Sequence, residues 1–313
     1  MLILIKAPDK MPFIIAHEFF DALPIHAFQC VDVPPSQDPA ARPSPTPSQA
    51  KADNSSPSSK TTKPTIQWRE FLVSPTPPGS THESLKTPPS QSRDTPPPDF
   101  QLTLARTPTR HSLYLPESSP RYRAIKSEVG PGALIEICPD ASLYATDFAA
   151  RIGGSVQHPK PQPSGAALIL DYGPGDGTVP TNSLRGIRLH KRVSPFAEPG
   201  LTDLSADVDF AGIAEAAVNA SEGVEVHGPV DQGTFLELMG IRERAEMLIK
   251  SAMAQEGENS EEVKKYADVV EKAWKRLVDR GPNGMGKTYK ALAILPENDG
   301  RRRPVGFGGD VIQ

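Results

Sequence analysis

Three residues that could perform chemistry follow a short apolar run near the start of the chain. The run is Phe13–Ala16, and His17, Glu18 and Asp21 come directly after it in the segment FIIAHEFFDALPIHAF. A continuous apolar run of this length is typical of a strand buried on both faces, as in a parallel sheet. Ligands bind beyond the carboxyl ends of such strands, so the three side chains are candidate site residues. The alternative is an ordinary strand-to-helix turn whose acids cap the next helix, and spacing alone favours that alternative.

A glycine-rich segment near the end of the chain matches the spacing of a phosphate-binding loop. Gly281–Thr288 reads GPNGMGKT, which would place Lys287 on the outer phosphates and Thr288 on magnesium. That chemistry requires a strand before the loop and a helix after it, so that the helix N-terminus faces the anion. Here a predicted helix precedes the segment and a predicted strand follows it. We therefore favour a glycine-rich turn over nucleotide hydrolysis.

A second glycine-rich segment follows the apolar strand predicted for Gly165–Asp171. It reads DYGPGDG and resembles the first motif of class I methyltransferases, whose glycines admit the methionine part of S-adenosylmethionine. The residues that follow contain Pro180 and lack apolar helical periodicity, so the pattern indicates a binding loop better than a full donor site. His190, after another predicted strand, is a further candidate, although a lone histidine is more often structural.

Composition restricts the classes of function. The 313 residues carry a net charge of −4, which does not indicate a general nucleic-acid binder. The two cysteines, Cys30 and Cys138, exclude a disulfide framework and a multi-cysteine zinc site. The seven histidines lack metal-ligand spacing, so no metal site is predicted. No segment approaches the roughly 18 apolar residues that a membrane span needs, and no secretory signal or mitochondrial presequence is visible.

The amino-acid composition and the predicted secondary structure change along the chain. Residues 33–129 are rich in proline, serine and threonine and are predicted to be a mostly disordered insertion, with a strand island near 66–73. From residue 130 to residue 296, predicted strands alternate with predicted helices, which is typical of an α/β fold with a mainly parallel sheet. The strongest helical pattern runs from Pro139 to about Ile152. Residues 1–32 and 130–296 are interpreted as one domain, and 297–313 as a polar tail.

Several segments, taken in order, resemble a known family. They are AHEFFDALPIHAF, WREFLV, ALILDYG, SLRGIRLHKRVSPFAEPGLTDLSADVDFAGIAEAA, GPVDQGTFLELMGIRERAEML and MGKTYKALAI. This ordered set resembles the MidA-like family of protein-arginine methyltransferases, the mitochondrial complex I assembly factors. Two departures stand out, because His17 replaces an asparagine that the family usually has, and Asp207 replaces a histidine.

The resemblance implies a partial Rossmann-like class I methyltransferase fold that lacks its N-terminal strands and has added helices. Phe13–Ala16 would be the fourth strand, with a bare apolar edge where the first strand should pair. The family's donor loop, a G-P-G-x-G-T-L type motif, lies upstream of the EFFDALP segment and is missing from this sequence. A truncated gene model, a fragment and a short form that pairs with a partner remain open as explanations, and the first is favoured.

The resemblance also implies a function. It indicates an S-adenosylmethionine-dependent enzyme of the mitochondrial matrix that symmetrically dimethylates an arginine of a complex I subunit. Glu18 and Asp21 would be catalytic residues beside the transferred methyl group. Substrate or cofactor would lie next to four further residues, which are His17, Asp171, Gly173 and His190. The alternative is a catalytically inactive form, or a binding module for assembly partners that does not bind the donor.

Overall fold

The computed structural model describes residues 10–34, 65–256, 260–301 and 303–308. In chain order the strands are β1 Phe13–His17, β2 His26–Val33, β3 Thr65–Pro75, β4 Phe100–Leu104, β5 Leu134–Ile137, β6 Ala166–Tyr172, β7 Arg185–Arg188, β8 Lys191–Val193, β9 Asp203–Ser205, β10 Val224–Asp231 and β11 Tyr289–Pro296. The helices are α1 Arg110–Tyr114, α2 Pro120–Glu128, α3 Pro139–Gly153, α4 Phe210–Ala220, α5 Gln232–Leu238, α6 Ile241–Glu256 and α7 Glu261–Val278. A single 3₁₀ turn, Leu115–Glu117, links α1 to α2.

These elements form two units. Unit 1 comprises Met1–Ile25, Thr87–Ser92 and Cys138–Gln313, and unit 2 comprises His26–Lys86 and Arg93–Ile137. The interpretation of residues 1–32 and 130–296 as one domain is therefore corrected at both boundaries. The physical reason is strand pairing, because β2 pairs with both β3 and β5 and so takes its residues into unit 2.

The sheet of unit 1 has the strand order β1-β6-β11-β10. β1 runs parallel to β6, whereas β11 runs antiparallel to both β6 and β10. The strands predicted at Phe13–Ala16, at Gly165–Asp171 and after Gly281–Thr288 are confirmed, as is the α/β class. The prediction of a mainly parallel sheet is wrong, because only one of the three ladders in this sheet is parallel.

β1 occupies an edge of that sheet among the described residues. Phe13 and Ile15 are each 75% exposed, whereas Ala16 is buried. The prediction that this run is buried on both faces is therefore wrong. Alternation along the strand turns Phe13 and Ile15 away from the core, and no described strand or helix covers them. Among the described residues, β1 is thus an edge strand with exposed apolar side chains, as expected from the resemblance.

Helices α3 and α4 pack against the sheet of unit 1 and bury its core. Small residues on α3 allow close approach, since Ala145 and Ala149 are fully buried beside Ile152. α3 has Pro139 in its first turn and ends at Gly154, whose φ of 86° suits a helix terminus. The predicted helix from Pro139 to about Ile152 is thereby confirmed. Among the helices described, none is long and apolar enough to cross a membrane.

Unit 2 is built on an antiparallel sheet of strand order β4-β3-β2-β5. Its interior is apolar, with Phe28 and Cys30 fully buried and Trp68 3% exposed. The strand island predicted near 66–73 is confirmed as β3. The prediction of a mostly disordered insertion is wrong for residues 100–104, 110–114 and 120–128, which form β4, α1 and α2. The apolar residues that alternate along β3 outweigh the local polar composition. Residues 35–64 of that predicted insertion lie outside the described residues.

Candidate active site

The carboxyl end of β6 is joined to the turn after β1 by one buried side chain. Asp171 is fully buried, and its Oδ2 accepts hydrogen bonds from the amides of Phe19 at 3.1 Å, Phe20 at 2.9 Å and Asp21 at 3.4 Å. Its Oδ1 accepts a further bond from the amide of Tyr172 at 2.9 Å. The carboxylate therefore accepts hydrogen bonds from amides in the turn, where no neighbouring strand offers them a carbonyl oxygen. Asp171, predicted to lie next to substrate or cofactor, lies beneath the turn that carries Glu18.

The same carboxylate is electrostatically unusual. Burial, together with the neighbouring negative charge of Asp21, raises the pKa of Asp171 from 3.8 to about 7, against the lowering effect of the amide hydrogen bonds. A carboxyl group with a pKa near neutrality is typical of functional sites, although structural networks also produce one.

Glu18 lies at the end of β1 in a conformation that few non-glycine residues adopt. Its φ is 47°, and its amide donates to the carbonyl oxygen of Leu170 at 3.1 Å. The residue is exposed, yet its Oε1 accepts a hydrogen bond from the hydroxyl of Tyr289. Left-handed backbone at such a residue costs energy and occurs where the surrounding structure imposes it, frequently at functional sites. The strained backbone directs an acidic side chain toward the carboxyl end of the sheet.

Two tyrosines that the sequence interpretation missed surround this carboxylate. The rings of Tyr172 and Tyr289 have centroids 4.0 Å apart, and their hydroxyls are hydrogen-bonded to each other. A hydroxyl has one hydrogen, so Tyr289 donates to Glu18 and accepts from Tyr172. Burial raises the pKa of both phenols, so both remain protonated donors near neutral pH. Their positions in the sequence could have indicated a place in the site, since Tyr172 ends strand β6 and Tyr289 begins strand β11.

A cation completes the cluster. The guanidinium carbon of Arg185 lies 4.9 Å from the centroid of the Tyr172 ring, and its Nη1 donates to Oδ1 of Asp207 at 2.6 Å. The carboxylate of Asp207 thereby holds Arg185 over the ring of Tyr172.

Asp21, predicted to be catalytic together with Glu18, is buried, with 8% exposure. Its Oδ2 accepts from the hydroxyl of Ser205 at 2.8 Å, and its carbonyl oxygen accepts from the amide of Ala206 at 2.9 Å. Burial raises its pKa, and the charge of Glu18 adds to that effect. These contacts connect the turn after β1 to the segment before α4, and they leave Glu18 as the exposed acid of the pair.

The two predicted histidines occupy different places. His17 is exposed at the end of β1, and its ring is stacked on Tyr289 with centroids 6.2 Å apart, so it borders the cluster. His190 lies in the two-residue turn between β7 and β8, exposed and with a φ of 60°. No hydrogen bond, ion pair or ring contact among the described residues links His190 to Glu18, Asp21 or Asp171. The fold therefore leaves His190 outside the cluster.

The loop after β6 packs against the chain itself. Gly173 has a φ of 153°, and a Cβ added there would lie 2.4 Å from the carbonyl oxygen of Val208. A Cβ on Gly175 would lie 2.7 Å from the side chain of Lys290. Asp176 Oδ1 accepts from the amide of Thr178 at 3.0 Å and from its hydroxyl at 2.7 Å, which closes the loop on itself. Gly173 therefore allows the backbone to pack closely against the segment before α4.

The interpretation of Gly281–Thr288 as a glycine-rich turn between a helix and a strand is confirmed. The segment follows helix α7 and precedes strand β11, so no helix N-terminus faces it. Its amides are also already bonded, since Gly284 donates to Gly281 at 3.1 Å, Met285 to Arg276 at 2.9 Å and Gly286 to Asp279 at 2.8 Å. Together with the loop after β6, the segment lines a cavity of about 550 Å³. The basic side chains that line it are Arg280, Lys287 and Lys290.

Comparison with known proteins agrees with this architecture. Residues 4–230 match a family model described as "putative S-adenosyl-L-methionine-dependent methyltransferase". Over 289 residues the chain is 28% identical to the protein arginine methyltransferase NDUFAF7, mitochondrial, of Rattus norvegicus, covering 92% of this chain and 47% of the relative. The Drosophila melanogaster homolog of that protein is also 28% identical, with 92% and 48% coverage. The chain therefore spans about half the length of these relatives.

A solved structure supports the fold. The crystal structure of a protein from Burkholderia thailandensis bound to S-adenosyl-homocysteine matches with a TM-score of 0.52 and 18% identity. The match covers 92% of this chain and 55% of the bacterial one. At this identity the likeness concerns the fold, and it confirms the expected partial methyltransferase fold.

Proposed function

The chain belongs to this family of S-adenosyl-L-methionine-dependent methyltransferases, and from that membership we propose that it forms the arginine-binding side of a protein-arginine methyltransferase site. The observation that carries the proposal is the exposed carboxylate of Glu18, presented from strained backbone and hydrogen-bonded by Tyr289. A carboxylate held in this way is a suitable partner for a guanidinium group.

The proposed role of Glu18 is to bind and orient the arginine side chain of a protein substrate. Tyr289 binds Oε1 of Glu18, so the carboxylate is fixed in direction while Oε2 remains for the guanidinium. A charge-assisted bond of this kind orients one guanidinium nitrogen toward a methyl donor. Asp171 and Asp21 act as positioning residues, because their hydrogen bonds fix the turn that follows Glu18.

The residues of the glycine loop do not fit the donor. The segment Gly173–Thr178 has the glycine pattern of a donor loop. However, the space beside the Cα atoms of Gly173 and Gly175, where a Cβ would point, is filled by the chain's own atoms. No helix begins directly after this loop in the described part of the chain, where β7 follows instead. At Gly173 and Gly175 the loop therefore does not offer S-adenosylmethionine, which would supply the methyl group, the close backbone approach that its glycine pattern suggests.

The substrate and compartment follow from the relatives. We infer symmetric dimethylation of an arginine on a complex I subunit in the mitochondrial matrix from the family resemblance, supported by the names of the two relatives, which are called mitochondrial protein arginine methyltransferases. A protein substrate and the absence of nucleic-acid partners belong to the same proposal.

Binding of arginine peptides tests the role of Glu18. We expect an arginine-containing peptide to bind the chain more tightly than the matched lysine peptide. Glu18→Gln should weaken arginine-peptide binding by about 10- to 100-fold, as expected for loss of a hydrogen bond to a charged group. Glu222→Gln, at an exposed loop position of the same unit, should leave binding unchanged. Equal binding to the wild type and to Glu18→Gln would remove Glu18 from the proposal.

Titration with S-adenosylmethionine separates an active enzyme from the second candidate, a binding module without donor binding. The closed packing of the Gly173–Thr178 loop favours the second candidate for this chain taken alone. We expect calorimetry of the 313-residue chain to detect no binding of S-adenosylmethionine. Binding at micromolar concentration would show that a donor site exists outside the loops described above.

A further inference from the structure

Three side chains with metal-binding atoms meet in unit 2, and they come from three different elements. His26 lies on β2, Glu70 on β3 and His111 on α1. Their ligand atoms all lie within 4.8 Å of one another. The Nδ1 atoms of His26 and His111 lie 2.7 Å and 3.3 Å from the same oxygen, Oε1 of Glu70. The two imidazole rings have centroids 4.1 Å apart.

We propose that His26, Glu70 and His111 form a Zn²⁺ site with a fourth position open to solvent. Two histidines and one glutamate, with an open fourth position, form one of the ligand sets that zinc uses. With bonds of about 2.0–2.1 Å, ligand atoms at the corners of a tetrahedron lie about 3.3–3.4 Å apart. The separation between His111 and Glu70 already equals that spacing. His26 needs to withdraw by roughly half an ångström, which a side-chain rotation provides.

The strand register explains why two of the ligands meet. In the antiparallel pair β2–β3, Phe28 lies opposite Glu70, and His26 is two residues from Phe28 on the same face. Side chains at such diagonal positions are within reach of each other. The ring of His26 also stacks on Phe28 with centroids 6.3 Å apart, which fixes its orientation over an apolar neighbour.

A fourth residue orients the carboxylate. Thr109 is the N-cap of α1, and its Oγ1 accepts from the amide of Ser112 at 3.0 Å while its hydroxyl donates to Oε2 of Glu70. Oε1 therefore remains on the side of the two histidines. Such outer partners hold metal ligands in direction and raise affinity.

Exposure leaves a route for the cation. The side chain of His111 is 54% exposed and that of His26 is 27% exposed, whereas that of Glu70 is 6% exposed. A metal ion therefore approaches from the His111 side and meets the carboxylate at the bottom. Binding needs both Nδ1 atoms without hydrogen, so each imidazole carries its proton on Nε2, and any extra proton is released to solvent.

Titration of the complete chain with Zn²⁺ tests the site. The protein is first dialysed against a chelator and then titrated by calorimetry, with Co²⁺ as a spectroscopic substitute whose visible absorption reports four- or five-coordination. We expect one Zn²⁺ per chain. His111→Ala should weaken Zn²⁺ binding by at least about tenfold, since loss of even an outer partner has effects of that size. Because His111 is largely exposed, this variant is expected to fold, which circular dichroism verifies.

Two further variants make the test specific. Glu70→Gln removes the anionic ligand and should abolish the Co²⁺ spectrum, whereas His158→Ala, an exposed histidine of unit 1, should leave Zn²⁺ binding unchanged. If the three side chains form only a hydrogen-bonded cluster, the wild type will bind no Zn²⁺ under these conditions. That result would overturn the proposal, as would Zn²⁺ binding that His111→Ala and Glu70→Gln leave unaltered.

Discussion

The carboxylate of Asp171 accepts a 2.9 Å hydrogen bond from the amide of Phe20, although the two residues are 151 positions apart in the chain. This contact joins the ends of the parallel strands β1 and β6 at the point where Glu18 leaves the sheet. The geometry of the candidate site therefore depends on a buried acid that does not itself face the open side.

Removal of that acid should destabilise unit 1. Asp171→Ala leaves the amides of a buried turn without an acceptor, so we expect the free energy of unfolding to fall by about 2–3 kcal/mol. Urea unfolding followed by circular dichroism measures this change. Glu222→Ala, at an exposed acid in a loop of the same unit, should change it by less than about 0.5 kcal/mol. Similar effects of both substitutions would contradict a specific role for the buried carboxylate.

Stability should also depend on pH through Asp171. Burial raises its pKa from 3.8 to about 7, so between these values the folded chain binds more protons at this site than the unfolded chain does. The contribution of Asp171 is therefore fully present below about pH 4 and is lost as the pH rises through about 7. We expect wild type to lose stability relative to Asp171→Asn over this interval, measured by urea unfolding at several pH values. A constant difference between the two proteins would refute the assignment.

The hydroxyl of Tyr289 should matter for arginine recognition and much less for folding. Tyr289→Phe keeps the buried ring but removes the donor to Glu18, so we expect arginine-peptide binding to weaken by roughly three- to tenfold. The measurement is the calorimetric titration proposed for Glu18→Gln. Tyr266→Phe, at an exposed position of α7, is the control that should not alter binding. An unaltered affinity in Tyr289→Phe would show that the carboxylate does not need its tyrosine partner.

The exposed edge of β1 should promote self-association. Phe13 and Ile15 are both 75% exposed beside unpaired backbone groups, a combination that favours edge-to-edge pairing of strands. Ile15→Lys is expected to slow aggregation several-fold in light-scattering measurements, at little cost in stability. The matched control is Val156→Lys, which places the same charge at a fully exposed apolar residue outside the strands. Equal protection by both variants would indicate a general effect of charge.

Local patterns in the sequence were sufficient for most helices and strands of unit 1. The helix predicted from Pro139 to about Ile152 is observed as α3, and the apolar run Gly165–Asp171 is observed as β6 with a shift of one residue. These elements have strong apolar periodicity, so their type is set by nearby residues. The strand at Phe13–Ala16 was also found, but its burial was not, because burial depends on which other strands lie beside it.

Contacts between distant segments were not predictable in the same way. The pairing of β2 with β3 and β5 defines unit 2, and nothing in the composition of residues 33–129 indicates it. Tyr172 and Tyr289 belong to different strands and meet only because β6 pairs with β11. The same reason hides His26, Glu70 and His111, which have no recognisable ligand spacing: the register of β2 and β3 brings the first two together, and the packing of α1 adds His111.

The interruption of unit 1 by unit 2 has a consequence for synthesis on the ribosome. β1 leaves the ribosome early, but its partner β6 follows only after all of unit 2 has been translated. At about 5–20 residues per second, the delay of roughly 150 residues lasts on the order of ten seconds. Throughout that time the FIIA segment lacks its parallel partner β6, whereas unit 2 is complete once Ile137 has been translated, before β6 is made. A chaperone that shields nascent apolar segments would therefore act on β1 until Asp171 emerges.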